Sequence, residues 1–217
     1  MMDIEQARFN MVEQQIRPCD VSEKNLLDAL LSIKREMFVL PQYKNIAFSD
    51  LEVPLPNGVK MLCPRIDAML LQALELNKKD RVLEIGSGSG YVTALLARLS
   101  EFVYSMEIDE QAKQFATRNL TYAGINNVSV VCGDGHFGLA NSSPYNKIFI
   151  GGALEKIPME LKQQLLIGGI LVGIIGEEAV MHAVKVVRVG DNEYAEIKLF
   201  ETATDYLTVK KINKFNF

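Results

Sequence analysis

The sequence predicts an α/β fold of the Rossmann-like kind, with a mostly parallel sheet covered by helices. Three observations point there. Short apolar runs alternate with helix-period segments from residue 81 to residue 175, the pattern of βαβ units. A glycine-rich turn, Gly86-Ser87-Gly88-Ser89-Gly90, joins the first run to the first helix. Acidic residues close later runs, Glu107 after the second and Asp134 after the third, where open α/β sheets hold their ligands.

Each element follows from its own spacing. Ile4, Ala7, Met11, Val12 and Ile16 recur at helical intervals, and Pro18 ends that helix. Ser22 is the expected N-cap of a second helix burying Leu26, Leu27, Leu30, Leu31 and Ile33. Three prolines and Gly58 rule out a continuous helix from Leu51 to Pro64, so short extended pieces and turns are expected. Pro64 suits the first turn of a helix over Arg65–Leu76. Core strands are expected at Arg81–Ile85, Phe102–Met106, Val128–Cys132, Lys147–Gly151 and Ile170–Ile175. Between them come helices at Tyr91–Leu99, at Glu110–Ala123 with Asp109 as N-cap and Gly124 as C-cap, and at Pro158–Leu166. Val180–Val189 and Glu193–Phe200 alternate around the turn Gly190-Asp191-Asn192 and predict a C-terminal antiparallel hairpin. The basic tail Lys210–Phe217 reads as loose. The 217 residues fit one domain, with residues 1–76 as an N-terminal helical addition shaping the substrate site and residues 77–217 as the core.

Composition excludes several classes. A net charge of −4 without a basic patch argues against nucleic-acid binding. No apolar run approaches the ~20 residues of a membrane span, and the first ten residues carry acids where a signal peptide has a basic region. A cytoplasmic location is the expectation. Cys19, Cys63 and Cys132 form no C-x-x-C pair, and His136 and His182 lie far apart, which speaks against disulfides or a metal site.

The glycine spacing narrows the ligand. A dinucleotide fingerprint, G-x-G-x-x-G, needs a third glycine where Tyr91 stands. The run is instead Glu84-x-Gly86-x-Gly88-x-Gly90, which resembles motif I of the class I S-adenosylmethionine (SAM) methyltransferases. SAM carries an ammonium and a sulfonium but no phosphate, so an acid at the turn suits it, and a pyrophosphate would be repelled. Glu84, Gly86, Ser87, Gly88 and Gly90 are therefore expected to bind the cofactor. Glu107 is placed to accept from both ribose hydroxyls. Asp134 is placed to accept from an adenine amino group, with the backbone N–H of Gly135 meeting a ring nitrogen, while Ile108 and His136 flank the base. The plain alternatives are a packing turn for the glycines, a helix-starting acid for Glu107 and a tight turn for Gly133-Asp134-Gly135.

Longer segments carry a more specific resemblance. MVEQQIRPCDV, LLDALLSIKREMFVLP, IAFSDLEVPLPNG, RVLEIGSGSGY, VYSMEID, NVSVVCGDG and LKQQLLIGGILVGIIG are together similar to the protein-L-isoaspartate O-methyltransferases. That resemblance implies the class I methyltransferase fold and methyl transfer from SAM to the α-carboxyl of isoaspartyl residues (and to D-aspartyl residues). The partners it implies are aged proteins entering repair. The family carries a Thr-Ile-Ser-Gln-Pro-like run whose serine holds the acceptor carboxylate. Here the run reads Lys60-Met61-Leu62-Cys63-Pro64, and Leu62 has neither donor nor acceptor. Lys60 and Arg65 are candidates to grip the acceptor instead. Leu62 keeps two other readings open, a methyltransferase with a small-molecule acceptor and a SAM-binding protein without catalysis.

Overall fold

The computed structural model describes residues 3–177 and 180–207. A seven-stranded sheet forms the centre, with strand order β5-β4-β3-β6-β7-β8-β9. Its members are β3 (Arg81–Ile85), β4 (Phe102–Glu107), β5 (Val128–Cys132), β6 (Tyr145–Leu154), β7 (Leu165–Glu177), β8 (Val180–Arg188) and β9 (Tyr194–Glu201). The strands from β5 across to β7 pair in parallel, and β8 and β9 add the antiparallel edge. Sequence order reverses between β3 and β6, where neighbouring connections leave in opposite directions and open a crevice.

Side chains alternate across each strand, so the sheet feeds two cores. Val82, Val103, Phe149, Val172 and Ile174 enter a large cluster with the helices α2 (Lys24–Ser32), α3 (Pro64–Ala73), α4 (Tyr91–Leu99) and α5 (Glu110–Tyr122). Leu83, Ile85, Ile148, Ile150 and Leu171 face the other side, against Leu161 of α6 (Met159–Gln163). The N-terminal helix α1 (Ile4–Asn10) continues into a π-helical stretch, Met11–Ile16, and a 3-10 turn, Arg17–Cys19, that holds Pro18. A two-residue ladder of β1 (Val53–Pro54) and β2 (Lys60–Met61) stands before α3. Among the described residues, no helix is long and apolar enough to cross a membrane.

Three expectations need correction. The first helix is not uniform, since its second half is π-helical and buries Met11, Val12 and Ile16. Glu23, not Ser22, caps α2. Its carboxylate accepts from the Leu26 N–H at 2.6 Å, while the N–H groups of Ser22 and Glu23 both donate to Gln72 of α3. Finally, α6 stops at Gln163 because Leu165 already pairs with Tyr145. Gly168 and Gly169 form an irregularity inside β7 rather than a lead-in to it. The tail Lys210–Phe217 lies outside the described residues.

Candidate active site

A cavity of about 480 Å³ opens at the carboxyl ends of β3, β4, β5 and β6. That is ample for a small-molecule ligand. Gly86, Ser87, Gly88, Glu107, Ile108, Asp134, Gly135 and His136 all line it, so most of the residues singled out from the sequence converge. Glu84 and Gly90 do not. Gly90 starts α4 in the left-handed region (φ 83), and a Cβ there would meet the Ala116 carbonyl oxygen of α5 at 3.1 Å. Its role is to let two helices approach.

Glu84 is turned beneath the glycine turn instead of into the cavity. It shares the face of Val82, which packs against α4. Its carboxylate accepts from Thr93 Oγ1 of α4 and Ser105 Oγ of β4, and Ser105 in turn contacts Ser87 Oγ. Gly86 and Ser87 donate their N–H groups to Met106 O. Asn119 Nδ2 holds Ser89 O at 2.9 Å. The turn is thus pinned from below before any ligand arrives. Complete burial pushes the Glu84 carboxyl up to about 8, against the pull of the two hydroxyls, and Glu107 and Asp67 push it further the same way.

This has a pH consequence with a definite sign. The native state holds the Glu84 proton more tightly than the unfolded chain, whose carboxyl titrates near its ordinary value of 4.5. The stability it contributes is full below about 4.5 and is lost as pH rises through about 8. Glu84→Gln is therefore expected to stabilise the protein by roughly 2–4 kcal/mol at pH 9 and by under about 1 kcal/mol at pH 5. Urea unfolding at the two pH values measures the difference.

Glu107 ends β4 with its carboxylate inside the crevice, 7% exposed. One oxygen accepts from Gly88 N–H at 3.0 Å and the other from Asp109 N–H at 3.2 Å. Gly88 offers that N–H from the left-handed region (φ 51). Each carboxylate oxygen keeps a second lone pair for a ligand. Asp109 itself caps α5 by accepting from Ala112 N–H at 2.8 Å, as its place in the sequence predicts. Asp134 follows β5 and accepts from His136 N–H at 3.0 Å, which shapes the turn around Gly135.

The roof comes from outside the core strands. Leu55, Asn57, Val59, Lys60, Met61 and Leu62 enter from the N-terminal addition, and Thr204–Leu207 from the segment after β9. That segment runs beside the end of β6, with Ala153 N–H on Asp205 O at 3.1 Å and Leu207 N–H on Ala153 O at 2.9 Å. Lys60 Nζ stands between Glu52 (3.4 Å) and Asp205 (3.3 Å), joining the two halves of the roof. Both carboxylates raise its pKa, Asp205 most. Arg65 pairs with Asp50 at 3.0 Å and is not part of the lining. Beneath Leu62 the fully buried Arg35 donates to Leu62 O (2.6 Å), Ala47 O (3.0 Å) and Asp67 Oδ2 (3.0 Å). Sequence reading missed Arg35, Asp67 and Thr204–Leu207. An acid beside the inward-facing Ile66 of α3 is the one sequence signal by which any of them could have been found.

Comparison with known proteins agrees with this geometry. The profile of the family described as protein-L-isoaspartate(D-aspartate) O-methyltransferase matches residues 6–213. A protein-L-isoaspartate O-methyltransferase of Syntrophus aciditrophicus is 37% identical over 193 residues, covering 88% of each chain. One from Methanospirillum hungatei is 37% identical over 189 residues, covering 87% of this chain and 88% of its own. A solved protein-L-isoaspartate O-methyltransferase superposes with a TM-score of 0.80 at 26% identity, covering 95% of this chain and 66% of that one. A Plasmodium falciparum structure of the same description, in complex with S-adenosyl-L-homocysteine, shares the fold with a TM-score of 0.81 at 18% identity, covering 96% of this chain and 99% of that one. The chain belongs to the protein-L-isoaspartate(D-aspartate) O-methyltransferase family and is a SAM-dependent methyltransferase.

Proposed function

We propose that the chain carries out the family's isoaspartyl methylation with SAM held across the tips of β3, β4 and β5. Glu107 takes the ribose hydroxyls, Asp134 and Gly135 take the adenine edge, and Ile108 and His136 flank the ring. Gly86, Ser87 and Gly88 lie along the amino-acid end, while Glu84 and Gly90 act by holding the turn. The observation that carries this reading is the Glu107 carboxylate, buried and oriented by two backbone N–H groups with a lone pair left on each oxygen. A buried carboxylate is tolerated where partners wait for it, and a ribose diol supplies two donors. SAM, when bound, supplies an electrophilic methyl on a sulfonium leaving group.

The residues then have a modest task. An acceptor carboxyl with an ordinary pKa near ~4 is ionised at neutral pH and needs no general base. Alignment and exclusion of water provide the acceleration. Leu55, Leu62 and Leu207 close the cavity with apolar surface, and Lys60 is the one lysine or arginine among its described lining residues. The N-terminal addition, residues 1–76, supplies one half of the roof, the core from residue 77 onward supplies the cofactor floor and the Thr204–Leu207 half of the roof, and one apolar cluster spans addition and core, which supports a single domain. Cys19, Cys63 and Cys132 form no disulfide among the described residues, in keeping with a reducing, cytoplasmic setting. Isoaspartyl-containing proteins are the partners.

The test is transfer of labelled methyl from SAM to an isoaspartyl peptide, compared with its aspartyl isomer. Base-labile label on the first alone is the expected result. Label on neither, with SAM binding intact, would move the acceptor to a small molecule. Leu62→Ser restores a hydroxyl beside the acceptor and is expected to raise kcat/KM on the isoaspartyl peptide about 10- to 100-fold. Because Leu62 is buried, the same change costs about 2–4 kcal/mol of stability, so the assay belongs well below the melting temperature.

A further inference from the structure

The described residues hold one buried acid in the cavity wall that none of the roles above uses. Asp67 lies on the first turns of α3 and is 1% exposed. Its Oδ2 is fixed by Arg35 Nη1 at 3.0 Å, and its Oδ1 has no hydrogen-bond partner among the described residues. Arg35 cannot swing to cover both oxygens. Its other nitrogens are committed to Ala47 O and Leu62 O, and its guanidinium sits 4.7 Å from the centroid of the Tyr91 ring. Asp67 shares the cavity with Ser87, Gly88 and Ser89 of the glycine turn and with Leu62. The glycine turn follows β3 and Asp134 follows β5, with β4 between them, so the turn marks the end of the cavity away from the proposed adenine pocket.

We infer that Asp67 Oδ1 binds the α-ammonium of the methyl donor, making Asp67 a cofactor-specificity residue. The inference rests on the SAM reading of the cavity. A buried, oriented carboxylate oxygen without a partner calls for a donor, and a cationic N–H donor suits it best. At this end of the donor the ammonium meets that need. The sulfonium carries no N–H, and the acceptor brings a carboxylate that a second carboxylate would repel. Burial pushes the Asp67 carboxyl up to about 6 although Arg35 pulls it down, so an arriving cation finds a site that gains from it.

The test compares S-adenosylhomocysteine with its deaminated analogue, identical but for the missing amino group, by titration calorimetry at pH 7.5. The native protein is expected to prefer the amine-bearing ligand by about 10- to 100-fold. In Asp67→Asn, which keeps an oxygen for Arg35, the preference is expected to shrink to within about threefold, through weaker binding of the amine-bearing ligand alone. A native preference near unity overturns the inference without any variant. So does an Asp67→Asn protein that folds and retains the full preference, or one that loses affinity equally for both ligands. If neither ligand binds the native protein, the SAM reading itself fails and this inference with it. If Asp67→Asn does not fold, the native ratio decides alone.

Discussion

Replacing Arg35 with methionine is expected to destabilise the protein by about 3–5 kcal/mol, because it strands a buried charge. Arg35 is completely buried and gives three hydrogen bonds to three separate segments, at Ala47, Leu62 and Asp67. Methionine fills much of the same volume but offers none of these donors. Two carbonyl oxygens lose a partner, and Asp67 is left buried without its counter-charge. The loss should be larger at pH 8 than at pH 5, since protonating Asp67 removes the stranded charge. In thermal unfolding this amounts to a fall of roughly 10 °C for a chain of this size. The double variant Arg35→Met with Asp67→Leu should recover most of the loss, since an apolar pair of similar volume replaces a buried ion pair at little net cost. A single variant as stable as the native protein, or no recovery in the double, would contradict this account.

The second large effect concerns binding. Glu107→Ala is expected to weaken S-adenosylhomocysteine about 100- to 1000-fold, the size of two lost charge-assisted hydrogen bonds. Glu107→Gln should fare almost as badly. Both native oxygens accept from backbone N–H groups, and an amide must present its NH₂ to one of those donors. Calorimetry on both variants checks this, with unfolding curves as the control. Stability should fall by no more than about 1–2 kcal/mol, because the partners left behind lie at a cavity that water enters.

The core strands were legible because their signals are local. Val128–Cys132 is a β-branched run between a glycine-bearing helix end and Gly133, and it forms as read. Asp109 and Gly124 mark the ends of α5 by chemistry confined to one turn. Glu107 was legible as a cavity residue because it closes β4, and the crevice of an open α/β sheet lies at the carboxyl ends of its strands. Ser22 was misread because Gln72, distant in sequence, takes up the backbone groups there. Glu84 shows the difference between a motif and a contact. Its spacing marks the turn, but the two-residue period of a strand puts it on the same face as Val82, under α4 and away from the crevice. Asp67 was hidden because its meaning depends on Arg35, 32 positions earlier. The Thr204–Leu207 roof was hidden because no pattern within it announces that it crosses the strand tips.

A crystal structure of the chain with S-adenosylhomocysteine tests the central claim most directly. The account predicts the ribose hydroxyls at about 2.7–3.0 Å from the Glu107 carboxylate, the adenine between Ile108 and Asp134, and the amino-acid end beside Gly86 and Asp67. Density for the ligand elsewhere, or a ribose turned away from Glu107, would contradict it.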